Sequence, residues 1–522
     1  MLLPLCLCAL WPVGEVFLQS IAKAGQFDLS GWSRLGRDPG LLPRSVAVAA
    51  SVTACTLPPA LALALYMVYG KPRRLLKALV NGVTAISLVS PPFVGAMAFL
   101  MLFGKNGFVT ARLLGLAWSP YGAHGIVIMQ AVSQFALCSV LLRISLSGVS
   151  RQLEDAARNL GASPGQTLAR VSLPLAAPGI AAAALIVFIR AMSDFSTPLF
   201  IGGSFQVLAS RSYMALIHQG DFQLSGAMNV LLLIPALVCI LLARRFTGGD
   251  RSALGRIAAG ADMPLAGWLR LVCLCCVWAF LSVQLALYCV ILAGSFTETW
   301  GVDFTLTLRH VRSLFSFSAG SIARSLLCSV AAGLGASIIG MLAAWMWRSN
   351  RGSSPAILHK GVALALQLPY MLPGTFLGLG YLLAYSRLPF EIATGLLIAA
   401  NCLVRQLSPA YHAGLAGLSG ISPVLEDAAR DLGAGRGAVY TRIIAPLLRP
   451  SAVYSFVNAF SAAMVSTGPI IFLVTPYARV MSVDMFESIA SGKFGSANVM
   501  AFAIVLLVAI VNGIAFRLMR RR

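Results

Sequence analysis

"EDAARNLGA" (residues 154–162) returns 272 residues later as "EDAARDLGA" (residues 426–434). The chain around both copies is apolar: 58% of its residues are hydrophobic, 11% are charged, and the mean hydropathy is +0.84. A polar nonapeptide written twice in such a background marks two equivalent loops between apolar segments. Those segments run to about 20 residues, the length a helix needs to cross a hydrocarbon core about 30 Å thick. Barrel strands need only about 10 residues and alternate in polarity. The fold class is therefore all-α integral membrane, with about 12 transmembrane helices.

The twelve apolar runs lie at 1–20, 45–69, 79–103, 122–142, 177–200, 225–243, 268–294, 323–347, 361–386, 391–411, 450–475 and 498–516. An even number puts both termini on one side of the membrane. Basic residues in short loops are retained in the cytoplasm. Of the 39 Lys and Arg residues, 25 fall on the side of the C-terminal "RLMRRR", 13 on the other, and Arg190 within a run. The reading is a multi-pass bacterial inner (plasma) membrane protein with both termini cytoplasmic. The first run, "MLLPLCLCALWPVGEVFLQS", lacks the basic segment of a signal peptide and is cut by Glu15. Its reading is a short first span, or a chain that starts upstream of Met1.

The net charge of +22 is spread over short loops, which suits topology and contact with an anionic lipid bilayer; no nucleic-acid partner is expected. The eleven cysteines lie within apolar runs and read as packing residues, without a disulfide framework or metal site. The five histidines are scattered, and no catalytic constellation is present.

The polar stretch 244–267 separates a first half, 1–243, from a second, 268–522. The correspondence reaches upstream of the nonapeptides: Leu146, Gly148, Val149, Ser150 and Leu153 answer Leu418, Gly420, Ile421, Ser422 and Leu425. Each half holds an even number of runs, so the halves are two parallel six-helix repeats related by a pseudo-two-fold axis along the membrane normal.

Local chemistry makes each nonapeptide a short helix. Ser150 and Ser422 suit N-caps, Pro423 suits the first helical position, and Gly161 and Gly433 suit the left-handed residue that closes a helix. "SPGQ" (163–166) restarts a helix by capping-box logic, whereas "GRGA" (435–438) loses that cap and should restart less definitely. Paired acids at the first turn, Glu154–Asp155 and Glu426–Asp427, are repelled by anionic lipid and favour docking to a partner protein.

The pattern also resembles the cytoplasmic EAA loop of permease subunits of binding-protein-dependent (type I) ABC importers. It reads Asp155-Ala156-Ala157, Gly161, Val171, Leu173-Pro174 in the first half, and Asp427-Ala428-Ala429, Gly433, Ile443, Ala445-Pro446 in the second. Asp stands where the family has the first Glu of the triplet, and Ala445 replaces Leu. The resemblance implies ATPase-coupling helices built around Glu154, Asp155, Ala156, Ala157 and Gly161, and around Glu426, Asp427, Ala428, Ala429 and Gly433. It implies two copies of an ABC ATPase subunit as partners, and a periplasmic or extracellular solute-binding protein. The chain has no phosphate-binding loop of its own, so ATP and Mg are used by the partner ATPase and no cofactor is bound here. Permeases with two fused halves are similar to those for ferric iron, the first choice of substrate, and to those for phosphonate, polyamine or thiamine.

Candidates for the translocation pathway come from within the runs. Arg190 and Asp194 are four residues apart, and each alone costs roughly 2.5–3.5 kcal/mol near mid-bilayer, so they should pair or line the pathway. Their counterparts in the second half are Ala462 and Ser466. Pro91 and Pro92, and Pro369 and Pro373, should break or kink their helices beside a cavity, with Pro92 and Pro373 the leading candidates. Outer segments 202–226 and 475–497 are suited to docking a binding protein or to capping the spans. An ion-coupled secondary transporter is the alternative of another class, but it would carry acids in several spans, and Asp194 is nearly alone.

Overall fold

The computed structural model describes residues 6–23, 25–105, 107–115, 119–247, 265, 267–349, 356–386, 388, 390–476 and 478–520. Most of the expected linker, residues 248–264 and 266, lies outside the described residues. Among the described residues, eight helices are long and apolar enough to cross a membrane, or nine if one bent pair counts as a single span.

In chain order the first half forms α1 (Trp11–Ile21), α2 (Leu41–Tyr69), α3 (Arg74–Val89), α4 (Pro92–Phe103), α5 (Ala123–Ser147), α6 (Arg151–Asn159), α7 (Pro164–Ser193), α8 (Ser196–Ile201), α9 (Leu208–Gln219) and α10 (Phe222–Thr247). The second forms α11 (Gly267–Ser295), α12 (Ala319–Ser349), α13 (Ala356–Met371), α14 (Gly374–Tyr385), α15 (Phe390–Ser419), α16 (Val424–Asp431), α17 (Arg436–Leu447), α18 (Arg449–Val465), α19 (Met481–Ala490) and α20 (Phe494–Arg520).

The third and ninth apolar runs are each two helices. Proline pushes the residue before it out of the helical region and has no N–H to give. Accordingly Ser90 (ψ 132°) and Pro91 (ψ 140°), each followed by a proline, are extended between α3 and α4, and Pro373, which has no N–H to continue α13, is the extended residue (ψ 141°) before α14. Pro369 is accommodated inside α13.

Two compact units emerge: residues 33–309, and residues 1–32 with 310–522. Their borders differ from those of the sequence halves, because the first helix of each half packs with the body of the other. In the 33–309 unit, α11 lies against α2, α3 and α4. Phe280 stacks on Phe135 with centroids 4.6 Å apart, and the Gln284 amide donates to the Val132 carbonyl at 3.2 Å. In the other unit α1 lies against α14. There Tyr381 and Tyr385 donate to the carbonyls of Cys8 (2.7 Å) and Leu7 (2.6 Å). Gly380 permits this approach, since a Cβ there would lie 2.4 Å from the Pro12 carbonyl oxygen.

Each unit is centred on a long helix pair, α2 with α5 and α12 with α15; the second pair is parallel, with contacts that advance together from Cys328–Gly395 to Arg348–Leu418. Lipid removes the hydrophobic drive between spans, so close backbone approach matters more. Small residues supply it in the second pair: a Cβ on Gly340 would meet Ala410 at 2.5 Å, and one on Gly414 would meet Ala344 at 2.7 Å.

Candidate functional site

The first nonapeptide forms α6, which leaves α5 after the turn Gly148–Ser150. Ser150 is the N-cap residue but its side chain makes no capping bond. Glu154, one turn in, is 2% exposed and faces the protein. Its Oε1 accepts the Tyr69 hydroxyl at 2.8 Å and the Ser172 hydroxyl at 2.6 Å. Asp155 faces outward with its side chain 67% exposed, 3.9 Å from Arg158. Ala156 is exposed and Ala157 half-buried. Gly161 closes the helix at φ +90°, with open space around its Cβ position; its constraint is the backbone conformation. Ser163 and Gln166 form the reciprocal capping box, at 3.3 and 2.9 Å, that restarts the chain into α7.

The second nonapeptide repeats this plan with other partners. Pro423, already helical, occupies the N-cap of α16, one residue later than the expected Ser422. Glu426 is 4% exposed. It accepts the Trp345 indole N–H at 3.1 Å, Arg430 at 3.4 Å, and a short ion-pair contact from Arg348. Arg348 also donates to the carbonyls of Leu418 (2.7 Å) and Ile421 (3.1 Å) at and just beyond the end of α15. Asp427 is outward with its side chain 66% exposed, 3.2 Å from Arg430. Ala428 is exposed, Ala429 is buried, and Gly433 closes the helix at φ +82°. Gly435 gives α17 no side-chain cap, yet the helix restarts at Arg436. Further on, α17 and α18 meet at 73° about Leu448, just before Pro450, whereas α7 runs on as one helix.

Both helices thus turn one acid inward and one outward. They also present a leucine that charge-based reading overlooks: Leu160 is 88% exposed and Leu432 89%, each just before its left-handed glycine. The signal was its identity in both copies. Tyr69, Trp345 and Arg348 carried no such signal, because they lie 85, 81 and 78 residues from the glutamates they hold.

The expected ion pair between Arg190 and Asp194 does not form among the described residues. Helix α7 ends at Ser193, and Asp194 (φ −79°, ψ 110°) leaves the face it would share with Arg190. Its carboxylate caps α8 instead, accepting from Ser196 N (3.0 Å), Ser196 Oγ (2.8 Å) and Thr197 N (3.2 Å), and from the Gln130 amide (3.1 Å). Gln130 lies seven residues into α5, about 10 Å along it, and also reaches the Ala191 carbonyl at 3.4 Å. Arg190 is therefore well within the span, and it is exposed.

Beside this break the units match in a further respect. Gln130 Oε1 and Thr197 Oγ1 are buried without a hydrogen-bond partner, as are Asn401 Oδ1 and Thr467 Oγ1 in the other unit. In the first, α8 packs on α4; in the second, Gly374 and Gly378 of α14 lie under Pro469. The helix that follows each proline break thus meets the segment that follows α7 or α18. Pro92 and Pro373 stand at the start of those helices.

Residues 60–248 match the family of binding-protein-dependent transport system inner membrane components. A 209-residue stretch is 30% identical to the molybdenum transport system permease protein ModB of Mycobacterium bovis, covering 38% of this chain and 76% of that protein. The chain belongs to this family of inner membrane components. The chain is also similar to the ferric transport system permease protein FbpB of Actinobacillus pleuropneumoniae, 30% identical over 449 residues, 83% of this chain and 64% of that protein. An FbpB 1 of Haemophilus influenzae is 30% identical over 415 residues, 76% of this chain and 65% of the relative. The chain thus spans just under two thirds of the length of these two relatives. The family match contains α6 and Gly161 and ends before the second nonapeptide.

Proposed function

We propose that this inner membrane component is the fused two-half permease of an ATP-driven importer, with α6 and α16 each docking on one of two ABC ATPase subunits. The observation that carries the reading is the duplicated helix itself, with its glutamate turned inward, its aspartate and leucine outward, and its glycine left-handed. An outward acid and an exposed leucine at a helix end are the chemistry of insertion into a partner's groove. ATP and Mg act in the partner; this chain contributes the path and the lever. Both termini and both docking helices lie on the cytoplasmic side in this reading, and a solute-binding protein delivers cargo at the opposite face.

Ferric iron is the proposed cargo, supported by the names of relatives similar over 76–83% of the chain, whereas the ModB likeness covers 38%. Arg190 lines the pathway in this proposal. A guanidinium that is exposed well inside a span and has lost its expected partner is costly against lipid, and belongs at a water-filled cavity. Pro92 and Pro373 mark the breaks that move as the path opens to one side and then the other, and the orphaned amide and hydroxyl groups beside them would find partners in the alternate state.

Uptake of radiolabelled ferric iron in cells lacking the chain tests this. The wild type restores uptake, and a Gly161→Val, Gly433→Val variant present in the membrane at equal level does not. Wild-type cells that take up no iron while hydrolysing ATP would remove iron and keep the coupling.

A further inference from the structure

We propose that Glu154 and Glu426 are positioning residues that fasten each docking helix to the end of α2 or α12, so that motion of the ATPase is delivered to those two helices. The inference rests on the coupling reading above and adds the route and its asymmetry.

The contacts are equivalent in place. Tyr69 is the last residue of α2, and Trp345 and Arg348 lie in the last turns of α12, which ends at Ser349. Each carboxylate therefore joins a short helix to the end of the first long helix of its unit's central pair. At 2% and 4% exposure neither can meet a partner's side chain, which leaves that task to Asp155 and Asp427. The acidic pair has divided its labour: one acid inside, one outside.

The two fastenings differ in chemistry. Glu154 is held by two hydroxyl donors. The residue corresponding to Ser172 in the second half is Ile444, which has nothing to donate. There the carboxylate is held by an indole N–H and by two guanidinium groups, one of them, Arg348, only 20% exposed. Charged hydrogen bonds are stronger than neutral ones, and a buried charge that loses its counter-charge is left uncompensated. A Gln at 154 still offers a carbonyl oxygen to both hydroxyls. A Gln at 426 leaves Arg348 facing a neutral amide.

The test uses the full chain in lipid nanodiscs with the ATPase that co-purifies with it. Hydrogen exchange is followed at residues 62–69 and 341–349 with and without ATP. The expected result is that Glu154→Gln retains the ATPase and both ATP-dependent changes. Glu426→Gln retains the ATPase within about twofold but loses the change at 341–349 by about tenfold, the scale of one charge-assisted bond. Adding Arg348→Gln to Glu426→Gln, which removes the stranded charge, restores part of it. Glu426→Gln behaving as wild type overturns the proposal. So does loss of ATPase retention in that variant, which would make Glu426 a docking residue, and so does equal damage from Glu154→Gln. A wild-type chain that retains no ATPase overturns the coupling reading, and this inference with it.

Discussion

Tyr69 and Glu154, 85 residues apart in the chain, share a 2.8 Å hydrogen bond that joins the end of α2 to the buried side of α6. With the carboxylate committed inward, the outer face of α6 is left to Asp155, Arg158 and Leu160. The same division holds in α16, and it makes inner and outer substitutions separable.

Leu160→Asp and Leu432→Asp together should reduce ATPase retention by at least about tenfold, because an exposed apolar anchor is replaced by a charge. The chain itself should hold its melting temperature, since leucines 88% and 89% exposed give the fold little packing. Co-purification and thermal unfolding in detergent measure the two effects.

Asp194→Ala should destabilise the chain by about 0.5–2 kcal/mol through loss of the cap on α8. Arg190→Ala should change stability by less than about 0.5 kcal/mol, since no ion pair is lost, while lowering uptake. Thermal unfolding beside transport distinguishes them; equal destabilisation by both would restore the ion-pair reading.

Gly380→Val should push α1 away from α14, because its first side-chain carbon would lie 2.4 Å from the Pro12 carbonyl oxygen. Overpacking of this kind costs about 1–3 kcal/mol. The half-buried Cys8, whose carbonyl accepts from Tyr381, should then react faster with a maleimide.

Pro373→Ala should let α13 run on toward α14, since alanine carries none of proline's restraint on the residue before it. Membrane levels should stay near wild type and uptake should fall. Unchanged uptake would remove Pro373 from the pathway.

The membrane class, the duplicated loop and its closing glycines were legible because each depends on local properties: run length, identity at fixed spacing, and the left-handed preference of glycine. The proline breaks were legible for the same reason. The Arg190–Asp194 pair was misread because four-residue spacing implies a shared face only while the helix continues, and α7 stops at Ser193. The inward turn of Glu154 was hidden because its donors, Tyr69 and Ser172, are set by packing. The exchanged first helices left no mark in the sequence, since an apolar helix does not state which neighbour it will meet.

That exchange sets an order of assembly. The turn that leads into α1 is synthesised well before the tyrosines that hold it, Tyr381 and Tyr385, some 370 residues downstream. The unit containing α1 closes only when Tyr381 and Tyr385 have left the ribosome. A message truncated before Tyr381 should therefore yield a protein in which α1 has no place to settle and is left open to membrane proteases.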